Sequence, residues 1–225
     1  MKSLISTATE KNWKRLGTDG SGRLTRRANK RASGRKFLPA EYLTDRNHRK
    51  AVQEILEQAE KHLWDTDRVL YSISVPMLRK KGIFQKPHVQ AVLKEYYQEI
   101  LPEIEEMEIP EGEWDFLGTV YQGMLTEGKK NQTGSYYTPE KTVKNMVREF
   151  DFSKGQIFLD PCCGSGSFLM AAEHASPEQL WGMDSDPRAV MLAKVNLLLK
   201  FPKEEFIPHI CRGDFLKEEN KINCR

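Results

Sequence analysis

The sequence predicts an α/β protein in which an amino-terminal helical domain precedes a parallel, doubly wound sheet. Two features of the 225-residue chain lead to this prediction. Before about residue 150, apolar residues recur at helical spacing, and the apolar–polar alternation of strands does not occur over any length. After Asp151, short apolar runs alternate with helical segments, which is the pattern of strand–helix–strand units. The length allows one or two domains with a sizeable core.

Three helices are predicted in the amino-terminal part of the chain. The first covers residues 39–64, where apolar residues follow one helix face. The second covers 87–107, although Pro102 should kink or cut it because proline has no backbone N–H to donate. The third covers 114–125. We expect these helices to form a domain over residues 37–130.

Three strands are predicted in residues 131–225, over 156–160, 180–184 and 206–211. A Gly/Ser-rich turn and a helix follow the first strand, and a helix begun by Pro187 follows the second. Each strand end carries an acidic residue, and ligands of such sheets bind at the carboxyl ends of the strands. These acids are Asp160, Asp184 and Asp214.

Several classes of protein are excluded by composition. The longest apolar runs are far too short to span a bilayer, and the first ten residues lack the basic and then apolar stretch of a signal peptide. We therefore expect neither a membrane protein nor a secreted disulfide scaffold. The four cysteines suit a reducing cytoplasm, so a cytoplasmic protein is expected. Cys162 and Cys163 have no partners at metal-ligand spacing, and no metal site is predicted.

The net charge of +3 hides an asymmetry between the two parts of the chain. Residues 1–36 contain 11 lysines and arginines but only 2 acids, whereas residues 37–225 have a net charge of −6. The basic segment is also poor in large apolar residues, so we expect a flexible arm. Two interpretations stay open at this point: a solvated tail, or an arm that contacts nucleic-acid phosphates.

The turn after the first predicted strand has the features of a ligand-binding loop. Asp160 and Pro161 end the strand, and Gly164 and Gly166 lack the side chains that would block a ligand's approach. The spacing is neither the G-x-G-x-x-G of dinucleotide-binding folds nor a phosphate-binding P-loop. The acid at the strand end can instead pair with a cationic ammonium group.

The other two strand ends add complementary chemistry. Asp184 is positioned for hydrogen bonds to ribose hydroxyls, although an acid there can equally be a helix cap. Asp214 could accept a hydrogen bond from an exocyclic amine while Phe215 packs on a flat ring, or the pair could be a turn with a core phenylalanine. Three acidic strand ends in succession favour the ligand interpretation over each local alternative.

Motifs in a fixed order resemble a known family. Residues 134–140 read Gly-Ser-Tyr-Tyr-Thr-Pro-Glu, and about 20 residues later 160–166 read Asp-Pro-Cys-Cys-Gly-Ser-Gly. Together they resemble the amino-terminal motifs of N6-adenine DNA methyltransferases of the γ class, which include type I modification subunits and type IIG enzymes. Residues 115–121 resemble the last helix of the helical domain of that family. The resemblance covers about residues 113–216.

The resemblance implies that the sheet is the first half of a Rossmann-like, S-adenosylmethionine-dependent methyltransferase domain. By the same resemblance, three residues before the turn would border the methionine end of the cofactor, and the strand ends would hold its amino-acid, ribose and adenine parts. The implied residues are Tyr137, Thr138, Pro139, Asp160, Pro161, Gly164, Gly166, Asp184, Asp214 and Phe215. Locally, Thr138 also reads as a helix N-cap with Pro139 at the first helical position.

One departure from the family bears on activity. The family's catalytic motif is an Asn/Asp/Ser-Pro-Pro-aromatic loop that grips the flipped adenine, and this sequence contains no Pro-Pro pair. We therefore name no catalytic residue and expect a truncated chain that is inactive alone. The family's strand order would leave the edge of the first strand open, so self-association through that edge is also expected.

Three functions remain open from the sequence. The first is the cofactor-binding portion of a DNA adenine-N6 methyltransferase of a restriction-modification system, with DNA as its substrate and a restriction or specificity subunit as a partner. The second is a non-catalytic S-adenosylmethionine-binding or scaffold subunit that complements a separate methyltransferase chain. The third keeps the fold but methylates RNA or a protein glutamine, which the helical domain and the order of motifs disfavour.

Overall fold

A computed structural model describes residues 5–6, 36, 38–39, 45–110, 115–126, 130 and 138–217. The helices are α1 (Arg46–Lys61), α2 (Thr66–Lys80), α3 (Pro87–Lys94), α4 (Pro102–Glu105), α5 (Phe116–Met124), α6 (Glu140–Val147), α7 (Ser167–Met170) and α8 (Pro187–Lys200). The strands are β1 (Ile5–Ser6), β2 (Leu38–Pro39), β3 (Phe158–Asp160), β4 (Leu180–Asp184) and β5 (His209–Arg212). No helix in these ranges is long and apolar enough to cross a membrane.

The chain divides into two compact units. One comprises residues 1–66 and 119–137, and the other comprises residues 67–118 and 138–225. This division differs from the boundaries inferred from the sequence (1–36, 37–130 and 131–225), which stay a prediction. Most of the basic arm lies outside the described residues.

In the first unit, α1 forms where helical spacing predicted it, but it is shorter. The Asp45 carboxylate accepts hydrogen bonds from the backbone N–H groups of Asn47 and His48 (2.8 and 2.9 Å), so the helix begins at residue 46 and not at 39. Its predicted apolar face is buried, with Val52 and Ile55 almost inaccessible to solvent. Two residues of β1 pair in parallel with β2 in the same unit.

In the second unit, the predicted helix over 87–107 is wrong in its extent. Helix α3 ends at Lys94, and α4 begins only at Pro102. Proline disfavours helical geometry in the residue before it, and Leu101 is accordingly extended. A tertiary contact replaces the lost helical bond, because the Leu101 N–H donates to the Ser72 hydroxyl at 2.9 Å.

Helix α2 was not predicted. Its buried residues lie all around the helix, including Ser72 and Ser74, so it has no single apolar stripe. Pro76 inside it also lowers its helix propensity. The Ser74 hydroxyl donates to the Leu70 carbonyl at 2.8 Å, and burial of residues 69–75 stabilises the middle of the helix.

The three predicted strands form one parallel sheet in the order β3-β4-β5. Strand β4 has the predicted bounds, whereas β3 begins two residues later and β5 runs from 209 to 212. The register pairs Asp160 with Gly182 and Asp184 with Arg212, so the strand ends lie side by side. Helices and parallel strands confirm the α/β class.

The core beside this sheet is built from α6, α7 and α8. Leu169, Ala193 and Leu197 pack with Leu180 and Ile210, and all five side chains are buried. Helix α8 is buried along most of its length, because it lies between the sheet and α3. The turn between β3 and α7 is therefore backed by a packed layer.

Candidate functional site

The turn from β3 into α7 is held by backbone hydrogen bonds and by two glycines in a left-handed conformation. Gly164 has φ of 54° and Gly166 has φ of 86°, a region that residues with a Cβ rarely adopt. The Cys163 N–H donates to the Met183 carbonyl (2.9 Å), and the Gly166 N–H donates to the Cys163 carbonyl (2.8 Å). The first bond attaches the turn to β4, and the second closes the turn itself. Helix α7, which follows, has only four residues.

Asp184 links the three strand ends. Its carboxylate accepts hydrogen bonds from the Gly164 N–H and the Asp186 N–H, each at 2.9 Å. Its backbone carbonyl accepts from the Gly213 N–H at 3.0 Å. A carboxylate has about four lone-pair positions, so each oxygen can still accept a further hydrogen bond. The residue therefore shapes the turn and keeps acceptor capacity for hydroxyl groups.

Three carboxylates surround the turn. Cys162, in the turn, is close enough to all three carboxylates for their charges to affect its thiol. Burial raises the pKa of this thiol, and the negative charges of Asp184, Asp160 and Asp214 raise it further. Burial also raises the pKa of Asp160, against the hydrogen bond from the Cys162 N–H (3.2 Å), and repulsion from Asp184 adds to the increase. The strand ends thus form one negatively charged site.

The three acids differ in their cationic neighbours. Lys217 forms an ion pair with Asp214 (2.9 Å), and the bond from its ammonium lowers the pKa of that carboxyl. In the part of the chain that the structure describes, no lysine or arginine forms an ion pair with Asp160 or Asp184. A cationic ligand group would relieve the repulsion between these two carboxylates.

The remaining candidate residues are placed less directly. Phe215 follows the third acid with 44% of its surface exposed, so its ring is accessible to a ligand and is not a core residue. Tyr137 lies outside the described residues. Thr138 and Pro139 precede α6, which packs against α7. Within the described chain, neither of them forms a hydrogen bond to the acidic strand ends.

The local interpretation of Thr138 as a helix N-cap is wrong. Pro139 occupies the cap position, with φ of −59° and ψ of 142°, and the helix begins at Glu140. The Pro139 carbonyl accepts the first helical bonds, from Thr142 (2.9 Å) and Val143 (3.1 Å). The extended geometry of Pro139 shifts the helix start by about one residue.

A buried polar network behind the turn was missed by sequence reasoning. The Asp115 carboxylate accepts hydrogen bonds from the Ser165 hydroxyl, the Gly118 N–H (2.7 Å) and the Asn196 amide (2.7 Å). The same amide donates to the Ser165 carbonyl at 2.9 Å. Burial raises the pKa of Asp115, and the three hydrogen bonds oppose that rise. One signal was present in the sequence: Asn196 interrupts the apolar run of α8, where a polar residue requires a partner.

Comparisons with known proteins agree with the motif pattern. The family model described as N-6 DNA Methylase matches residues 112–223. The chain is 35% identical over 97 residues to the type I restriction enzyme MjaIX methylase subunit of Methanocaldococcus jannaschii, covering 38% of this chain and 17% of the relative. It is 32% identical over 129 residues to the MjaVII methylase subunit of the same organism (53% and 22%).

A relative of another type is the type II methyltransferase M.VspI of Vibrio sp. (strain 343), 32% identical over 91 residues (39% of this chain and 21% of the relative). The chain thus spans about a fifth of the length of these relatives. No solved structure matches it.

Proposed function

The chain belongs to the N6-adenine DNA methyltransferase family through residues 112–223, and from this membership we propose that it binds S-adenosylmethionine at the turn after β3. We further propose that it forms the cofactor-binding portion of a site-specific adenine-N6 methyltransferase of a restriction-modification system. The sheet would then be the first half of a Rossmann-like methyltransferase domain.

The observation that carries this proposal is the meeting of three acids at one glycine turn. S-adenosylmethionine carries an ammonium group, a sulfonium group, ribose hydroxyls and an adenine. Two carboxylates without a lysine or arginine partner among the described residues suit the cationic groups, and free lone pairs on Asp184 suit the hydroxyls. The negative charge and the hydrogen-bond acceptors of the turn therefore fit this cofactor.

Each candidate residue then has a role in binding. Asp160 pairs with the ammonium group, Asp184 accepts from the ribose hydroxyls, and Asp214 accepts from the adenine amine with Phe215 against its ring. Pro161, Gly164 and Gly166 shape the turn. Tyr137, Thr138 and Pro139 border the methionine end. When bound, the cofactor supplies an activated methyl group. Because the 225 residues contain no Pro-Pro pair, we assign the transfer step to no residue of this sequence.

DNA is the proposed substrate, and a specificity or restriction subunit is a proposed partner. The basic segment 1–36 would contact DNA phosphates, so its contribution to affinity should fall with increasing salt. The second candidate is a non-catalytic subunit that complements a separate chain. Methylation by this chain alone would exclude the second candidate, and methylation only after a complementing chain is added would support it.

Calorimetric titration of the full chain with S-adenosylmethionine tests the cofactor site. Asp184→Asn should weaken binding by about 10- to 100-fold, because hydrogen bonds to a charged group contribute about 1.5–3 kcal/mol. Asp151→Asn is the matched control: Asp151 is exposed and accepts backbone and hydroxyl hydrogen bonds from Ser153, before β3 begins. A folded wild-type chain that does not bind, or an Asp184→Asn variant that binds normally, would overturn the proposal.

A further inference from the structure

We propose that Asp115 is a positioning residue that fixes the glycine turn through Ser165. This inference rests on the proposed function, because it concerns the same cofactor-binding turn. Asp115 immediately precedes α5 and lies 50 positions before Ser165 in the sequence. Its side chain is buried, with only 2% of the residue exposed. The structure brings it directly behind the residue that separates Gly164 from Gly166.

Ser165 is held at two of its groups. Its hydroxyl donates to Oδ2 of Asp115, and its backbone carbonyl accepts from the Asn196 amide at 2.9 Å. The two flanking glycines have no side chains and the greatest conformational freedom of any residue type, so only their backbone hydrogen bonds hold them. Anchoring Ser165 therefore limits the conformations open to the N–H of Gly164, which meets Asp184.

The packing around this contact is tight. A Cβ built on Gly118 would collide with both Oδ2 of Asp115 and the hydroxyl oxygen of Ser165. The first turn of α5 therefore lies directly against the Asp115–Ser165 pair. Asn196 closes the network from α8, with its amide 2.7 Å from Oδ1 of Asp115. Two separate parts of the chain, the start of α5 and α8, thus define where Ser165 lies.

A merely structural role for Asp115 would be that of a helix cap. Its Oδ1 accepts from the Gly118 N–H at 2.7 Å, three residues along, as a capping side chain does. The cap uses Oδ1, whereas the contact with Ser165 uses Oδ2. Ser165→Ala removes the second contact and leaves the cap in place, so the two roles can be separated by experiment.

The experiment compares the full-length wild-type chain with Ser165→Ala, Asp115→Asn and a control, Ser72→Ala. Ser72 is also fully buried, and its hydroxyl accepts from the Leu101 N–H in the same unit, so its loss has a similar general cost. Amide hydrogen exchange of residues 163–167 without ligand is the first readout. The dissociation constant for S-adenosylmethionine, measured by calorimetry, is the second.

We expect Ser165→Ala to speed exchange in the turn about tenfold and to weaken cofactor binding by a similar factor, as the loss of one buried hydrogen bond implies. Ser72→Ala should change neither readout in the turn. Asp115→Asn keeps the cap and can donate to the Ser165 oxygen, so it should retain most of the protection and affinity.

Equal effects of Ser165→Ala and Ser72→Ala on the turn would overturn the inference, as would unchanged exchange in Ser165→Ala. The two proposals fail in distinguishable ways. If the folded wild-type chain does not bind S-adenosylmethionine, the proposed function fails, while the exchange measurement on the ligand-free chain still decides whether Asp115 and Ser165 order the turn.

Discussion

Gly182→Ala would test how closely the sheet packs against the back of the glycine turn. Gly182 lies in the middle of β4, paired with Asp160 on one side and Ile210 on the other. A Cβ at this position would lie 2.8 Å from Cδ1 of Ile210 and 3.0 Å from Sγ of Cys163. Favourable carbon–carbon contacts are about 3.5–4.0 Å, so both neighbours would have to move.

The two neighbours differ in how they can respond. Cδ1 of Ile210 is the end of a flexible side chain, but the residue is only 3% exposed, so a rotamer change occurs against a packed core. Cys163 cannot shift freely, because its N–H is bonded to the Met183 carbonyl at 2.9 Å. Overpacking of this kind costs about 1–3 kcal/mol. Alanine recovers about 0.5–1 kcal/mol by restricting the unfolded chain, so we expect a net loss of about 1–2 kcal/mol.

Urea unfolding of a double-mutant cycle measures this loss and identifies its cause. Ile210→Val removes the colliding Cδ1 atom and should cost about 0.5–1.5 kcal/mol alone. In the double variant the collision with residue 210 is absent, so the combined loss should be smaller than the sum of the single losses by about 0.5–1 kcal/mol. Strictly additive losses, or a Gly182→Ala variant as stable as wild type, would refute the packing argument.

Three further predictions concern charged groups in the same unit. Because burial and Asp184 raise the pKa of Asp160, ionisation of this carboxyl opposes folding increasingly as the pH rises above its unfolded pKa of about 3.9. The Asp160→Asn variant should therefore unfold at higher urea than wild type at pH 7 while binding S-adenosylmethionine more weakly. A variant less stable than wild type would contradict this. Burial lowers the pKa of Lys200 to about 8, so between about pH 8 and 10.4 the unfolded chain binds more protons than the folded chain, and this group makes stability rise with pH. Lys200→Met should flatten that rise when urea unfolding is measured across this pH range. An unchanged dependence of stability on pH would disprove it. Asp67→Ala should lower the free energy of unfolding by about 1 kcal/mol, because the bidentate ion pair with Arg188 (2.6 and 2.8 Å) is partly exposed. Adding Arg188→Ala to this variant should lower it little further. Losses that simply add in the double variant would argue against the pair.

Local patterns were sufficient for the parts of the chain whose structure depends on near neighbours. The apolar run that ends in Asp184 predicted β4 with its observed bounds, and Pro187 predicted the start of α8. The glycine turn and the acids beside it were predicted because a strand that leads into a helix needs a sharp turn. The parallel arrangement followed from the alternation of strands and helices, and the structure confirms it.

Local patterns failed where distant residues complete a segment. The middle of helix α2 is buried on every side and the helix contains Pro76, so its own sequence shows neither a single apolar stripe nor good helix propensity. The chain leaves the helical path after Lys94 and meets Ser72 through Leu101, a contact between residues 29 positions apart. Neither feature can be read from a short window, because tertiary contacts supply the missing free energy.

The candidate site shows the same separation between what is local and what is not. By itself, the sequence determined that Asp160, Asp184 and Asp214 follow successive strands, since each motif is a few residues long and parallel strands bring their ends to one edge. Only the tertiary structure decided that Asp115 and Asn196 meet at Ser165, across 50 and 31 positions of sequence. A buried carboxylate is stable only where several elements converge to satisfy it, and that convergence is a property of the whole fold.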